Sequence, residues 1–182
     1  MGIKGLNKYI RDNCVKSTKN INISYLKGNN IVIDTSIYLY RFKANGNMLE
    51  GLYQMINLFK YHKVGILFVF DGIPPVEKRN TITERKKQRD SAVIQLQNIE
   101  KDLASGKVEY DNSIYQQIHT LKRSGIKVTQ KDFDDAKELI NSLGIYWVEA
   151  VGEADKLCAK LVNCGIAYAC LSDDTDLSLI HI

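Results

Sequence analysis

The chain lacks the features that would send it to a membrane or an oxidising compartment. Its 182 residues contain no apolar run near the roughly 18 needed to cross a bilayer. No secretory signal opens it. Met1-Gly2 could suggest myristoylation, but that motif wants Ser or Thr at position six, where Leu6 stands. The four cysteines, Cys14, Cys158, Cys164 and Cys170, include no Cys-x-x-Cys pair. That argues against zinc, and the apolar surroundings of the last three suggest buried, reduced thiols. Only two prolines occur, adjacent at Pro74-Pro75, and they mark one firm break. Repeats, low-complexity tracts and flexible linkers are also missing. What remains, 45% hydrophobic and 25% charged, is the composition of an ordinary globular domain with a real core.

Charge is unevenly spread. From Val76 to Lys131 there are 12 Lys/Arg against 7 Asp/Glu, and the rest of the chain is −1. The positive excess therefore sits in one segment, while acids elsewhere fall in short clusters. A basic element beside an acidic site suits an enzyme that holds a polyanion and binds cations. A charged helical segment alone would be read as a solvated face.

Four apolar runs are expected to be strands: Asn29 to Asp34, Gly65 to Asp71, Ile145 to Val148 and Ala167 to Leu171. Runs apolar on both faces fit a parallel sheet covered by helices. Helical spacing appears at Met48, Leu52, Met55, Ile56 and Phe59, and again at Ala154, Leu157, Cys158, Leu161 and Val162. Alternating strands and helices mean an α/β fold. After Gly72-Ile-Pro-Pro come about sixty polar residues, read as helices projecting from the core, with a helix from about 132 to 143 returning to it. The expected organisation is one core over 1–182 with a basic helical insertion at about 76–131.

Ligands of open α/β sheets bind outside the carboxyl ends of the strands. Asp34 ends the first run and Asp71 the second; Glu153 and Asp155 follow the third; Asp173, Asp174 and Asp176 follow the fourth. Parallel topology would gather these acids at one edge. Any one of them could be a helix cap or turn residue, Asp173 above all. Carboxylates at close range raise one another's pKa, and a divalent cation relieves this. With no His or Cys among them the donors are all oxygen, which suits Mg²⁺ or Mn²⁺. Two such ions can serve phosphodiester cleavage, but spacing alone does not choose among nuclease, phosphatase and other Mg²⁺ chemistry.

The motifs together resemble the flap endonuclease family of structure-specific 5′ nucleases. They are Met1-Gly-Ile-Lys-Gly-Leu, Val32-Ile-Asp-Thr-Ser with Tyr40, Phe68-Val-Phe-Asp-Gly-Ile-Pro-Pro, Gly152-Glu-Ala-Asp and Ser172-Asp-Asp-Thr-Asp, in the family's order. The resemblance implies a PIN-like nuclease fold whose basic insertion forms an arch or gateway. It implies two Mg²⁺ ions, replaceable by Mn²⁺, on Asp34, Asp71, Glu153, Asp155, Asp174 and Asp176. Asp155 stands where the family usually has Glu, so its contact is expected through water. Lys78 and Arg85 match the gateway cations that steer the scissile phosphate. Gly2, Tyr40 and Arg89 match positions near the DNA, with Tyr40 stacking on a base. The implied substrate is branched or flap DNA, cut endonucleolytically or from a 5′ end, in replication and repair. A sliding clamp is an implied partner through a region outside this sequence. The protein is expected to be monomeric and intracellular, in the nucleus or at another site of replication.

The family has a further Gly-Ser-Asp-Tyr motif and a helical duplex-binding region beyond Ile182. The expectation is that this chain folds but cuts poorly compared with a longer version. A core that grips nucleic acid without cutting is the alternative. An aspartate-nucleophile phosphatase needs Asp-x-Asp on the first strand, where Asp34-Thr35-Ser36 stands. A small single-stranded RNA nuclease would not need the basic insertion.

Overall fold

A computed structural model describes residues 5–14, 16 and 18–174. Strands β1 (Asn30–Asp34), β2 (Gly65–Phe70), β3 (Tyr146–Glu149) and β4 (Ala169–Leu171) form one sheet in the order β3-β2-β1-β4. Every pairing is parallel, with Asp34 level with Val69, Ile33 with Leu171 and Phe70 with Glu149. All four carboxyl ends therefore meet one edge. The chain runs outward from β1 through β2 to β3, then jumps back across the sheet to β4. This reversal puts the crevice between β1 and β4, where open α/β sheets bind ligands.

Helices cover both faces. On one side lie α2 (Thr35–Ala44), α3 (Met48–Tyr61) and α6 (Gln130–Ser142), packed on Ile31, Ile33, Phe68 and Phe70. On the other, α7 (Ala154–Asn163) covers Val32 and Val69 through Ala154, Cys158 and Ala159. The apolar spacing in α3 becomes its buried stripe of Met48, Leu52, Ile56 and Phe59. Asn47 caps that helix by accepting from the Glu50 N–H at 3.2 Å. A capping box, Thr129 with Asp132, opens α6. Lys43 at the end of α2 pairs with the same Asp132, tying α6 to α2.

Four doubly buried strands are expected from the sequence; full burial is found at Ile31–Ile33 of β1 and Phe68–Phe70 of β2. The outer strands differ because each pairs on one side only: Tyr146 in β3 is 81% exposed, and all of β4 is half-buried. Two helices escaped the periodicity argument, α1 (Leu6–Asn13) and α2. No side chain of α1 is buried, and α2 buries only Thr35, Tyr38 and Leu39. The cysteine expectation also needs correction. Cys158 is buried and Cys170 half-buried, but Cys164 ends α7 in the open.

The segment after Pro75 makes one short 3-10 turn, Val76–Lys78, and then α4 (Arg79–Ala104) and α5 (Asn112–Ser124). At 26 residues α4 is about 39 Å long. It buries only Ala92, and α5 buries nothing; the two pack on each other. Among the described residues no helix is long and apolar enough to cross a membrane.

Candidate metal and nucleic-acid site

Asp34 occupies the N-cap position of α2, yet its side chain makes no capping hydrogen bond. Its carboxylate instead accepts from Ser172 Oγ at 3.0 Å, across the crevice between β1 and β4. The same Ser172 Oγ accepts from the Asp174 backbone N–H at 3.1 Å. One hydroxyl thus joins the two acids at the reversal of strand order. A Ser two residues before an Asp is the local sequence signal for this turn, and its role toward Asp34 depends on the β1–β4 pairing.

Asp71 Oδ1 accepts from the backbone N–H of Ala154, the first residue of α7, at 2.9 Å. So Asp71 does cap a helix, but one that lies 83 residues further along the chain. Glu153 holds the N-cap position of α7 without capping it, and pairs with Lys78. Asp155 stands in the first turn of α7. Asp173 pairs with Arg41 of α2. The amino ends of α2 and α7 both face this edge, where their dipoles favour anions.

Burial raises the Asp34 carboxyl from its usual 3.8 to about 6. The Ser172 hydrogen bond opposes the rise, and the charges of Asp71, Asp155 and Asp174 add to it. Four of the expected acids therefore share one field, as anticipated from their places after the strands. Lys78, paired with Glu153, is held above its usual value chiefly by that bond. An all-oxygen donor set around a half-buried, mutually repelling carboxylate fits a hard divalent cation. Among the described residues, though, no three of the acids close on a single point. Asp176 and Gly2 lie outside the described residues.

Unrelieved, the burial of that carboxylate, with the neighbouring negative charges adding to it, costs stability. The folded protein keeps a proton on Asp34 that the unfolded chain releases near pH 4, so stability falls as pH rises from about 4 to 6 and stays lowered above. In chelator at pH 7.5, Asp34→Asn is expected to stabilise the fold by about 2–3 kcal/mol, an increase in Tm of roughly 5 °C or more. Asparagine can still accept from Ser172. The gain should shrink below pH 5, and thermal melts across pH check it. A flat difference would mean Asp34 is not strained by its surroundings.

A basic cavity of about 740 Å³ lies between α4, the end of α5 and α2, bordered by Tyr40, Arg85, Arg89, Leu121, Arg123 and Ile126. Tyr40 is 39% exposed and faces this cavity rather than packing in the core. Arg85 and Arg89 lie on α4, and Lys78 is the residue from which α4 starts. Seven residues make about two turns, or 10 Å, between Lys78 and Arg85. The sequence reading missed Arg123, since a basic residue on a polar helix carries no mark of its partners. The geometry can thus hold cations at a sheet edge and a polyanion in the basic cavity.

The chain matches the XPG N-terminal domain over residues 1–92 and the XPG I-region over residues 144–180. Flap endonuclease 1 of Cryptosporidium parvum (strain Iowa II) is 32% identical over 193 residues, covering 97% of this chain and 37% of the relative. The chain spans half the length, or less, of the curated relatives it matches. The catalytic core of Rad2 in complex with DNA substrate superposes with a TM-score of 0.64 at 24% identity, over 93% of this chain and 47% of that one. The Holliday junction-resolving enzyme GEN1, in complex with product DNA and Mg²⁺, gives 0.58 at 20% identity, over 98% and 34%.

Proposed function

The chain belongs to the XPG N-terminal domain family, and from this premise we propose that it is the core of a metal-dependent 5′ nuclease acting on branched or flap DNA. One observation carries this reading. Asp34, Asp71, Glu153, Asp155 and Asp174 follow the ends of four parallel strands at one edge, and the basic helices spring from Lys78 at that same edge. The name of the Cryptosporidium relative supports flap substrates. The DNA in the Rad2 complex and the Mg²⁺ with GEN1 support a nucleic acid and a divalent ion on this fold.

In this proposal Asp34, Asp71, Glu153, Asp155 and Asp174, with Asp176, would hold two Mg²⁺ ions, or Mn²⁺ in their place. Bound ions would supply Lewis acidity toward the phosphate and a more acidic water. The chain's own residues do the rest. Ser172 fixes the Asp34 carboxylate by donating to it, so that acid needs no reorganisation during reaction. Lys78, now on Glu153, is near enough to the acids to neutralise a phosphate entering beside them. Arg85 and Arg89 extend positive charge along α4, and a guanidinium grips a phosphate with two parallel hydrogen bonds. Tyr40, exposed at the cavity, offers a ring for base stacking.

The test is cleavage of a labelled 5′-flap duplex. Strand scission is expected with Mg²⁺ or Mn²⁺ and none with EDTA. Ca²⁺, larger and looser in coordination, should bind without supporting it. Cleavage at the same rate in EDTA would end the metal reading. Retained DNA affinity with no cleavage under any ion would favour the non-cutting alternative.

A further inference from the structure

Between β2 and β3 the backbone approaches itself unusually closely. A Cβ at Gly72 would lie 1.8 Å from the Ala150 carbonyl oxygen, 2.9 Å from its carbon and 3.0 Å from the Val151 carbonyl carbon. All three are backbone atoms, which cannot swing aside as a side chain can. Three hydrogen bonds fasten the same contact. The Ala150 N–H donates to Phe70 O at 2.9 Å, the Gly72 N–H to Gly152 O at 2.7 Å, and the Ala154 N–H to Asp71 Oδ1 at 2.9 Å. Gly152, two residues before Ala154, is under no such restriction: the nearest atom to a Cβ there is Ile73 O at 4.0 Å.

We propose that Gly72 is a positioning residue for the cation site, because only a side-chain-free residue lets the loop after β2 and the loop after β3 lock into one unit. The inference rests on the proposed metal role of these acids. The first loop carries Asp71; the second carries Glu153 and leads directly into the first turn of α7, which carries Asp155. The β2–β3 ladder stops at Phe70 and Glu149, so beyond it the two loops are joined by this contact. Strand β3 is only four residues long and lies at the sheet's edge, and Val151 is 96% exposed. The contact at Gly72 holds the second loop, and with it the start of α7, at a fixed offset from Asp71. A methyl group there must push Ala150 and Val151 away, which carries Glu153 and Asp155 with them. Misplacement of about 1 Å in such a site can cost roughly a hundredfold in rate.

The experiment compares Gly72→Ala and Gly152→Ala, neighbours in space with opposite steric room. Mn²⁺ affinity is measured by calorimetry or by loss of the free-ion electron paramagnetic signal, and DNA affinity is measured separately in Ca²⁺ or EDTA. Gly72→Ala is expected to weaken Mn²⁺ binding about tenfold or more, with DNA affinity in EDTA within about twofold, since the basic helices are untouched. Gly152→Ala should bind Mn²⁺ like the parent protein. Should Gly72→Ala fail to fold, one glycine inserted between Val151 and Gly152 loosens the coupling without any clash, in a loop open enough to accept it. It too should bind Mn²⁺ more weakly. Unchanged Mn²⁺ affinity in a folded Gly72→Ala protein, or in the insertion variant, would overturn the proposal. If the parent protein binds no Mn²⁺, the metal reading itself falls and takes this inference with it.

Discussion

Replacing Asp34 or Asp174 by alanine should abolish cleavage, lowering the single-turnover rate on a flap by about a thousandfold or more, near 4 kcal/mol of transition-state stabilisation. Asp34 ends the central strand β1, paired on both sides by β2 and β4, so its backbone has little freedom to move. Its carboxylate is not spent on a helix cap; it faces Ser172 and shares its field with Asp71, Asp155 and Asp174. DNA affinity should survive, within about threefold, because the proposed phosphate contacts lie on α4 and removing a carboxylate reduces repulsion of the phosphates. Single-turnover kinetics at saturating Mg²⁺, beside a binding titration in EDTA, separate the two effects. A variant that cuts at the parent rate would remove that residue from the site.

Phe70→Ala should cost about 3–5 kcal/mol of stability and lower Tm by roughly 10 °C or more. Phe70 is 1% exposed at the end of β2. Its ring meets Trp147 edge-on at 5.8 Å and Phe133 at 6.3 Å, bridging β2, β3 and α6. Lys137 lies over both Phe70 and Trp147, 5.2 and 4.6 Å from the ring centres, and pairs with Glu149 at 2.8 Å. Deleting the ring removes buried area, leaves a cavity and unseats that lysine together. Phe70→Leu keeps most of the volume and should cost only about 1–1.5 kcal/mol. Chemical denaturation of both variants gives the comparison. Because Phe70 directly precedes Asp71, the alanine variant should also bind Mn²⁺ less tightly while still folded at low temperature. Equal stability of the alanine and leucine variants would show that the aromatic cluster is not what fastens β3 to the sheet.

The site was legible in part because its residues follow a local rule. Asp34 and Asp71 each close an apolar run, and a run apolar on both faces in an α/β chain means a parallel strand whose carboxyl end faces the binding edge. The basic excess between Val76 and Lys131 was legible as composition, and it became two helices that bury almost nothing. Burial along β3 and β4 was less legible, since periodicity reports what a strand could bury and not whether a neighbour stands beside it. The roles of Ser172, Gly72 and Arg123 were not legible at all, because each depends on a partner distant in sequence or on the packing of other elements.

The sequence by itself determined the class of fold, the strands that carry the acids and the segment that carries the basic charge. Those properties come from hydrophobic period and charge order, which the chain expresses locally. Only the tertiary structure decided how each carboxylate is used: Asp71 on the start of α7, Glu153 on Lys78, Asp173 on Arg41, and Asp34 on Ser172 with its pKa raised. The physical reason is that desolvation and charge pairing are set by what packs within a few ångströms. The jump from β3 back to β4 brought Ser172 to Asp34 across 138 positions of sequence, a distance no local pattern spans.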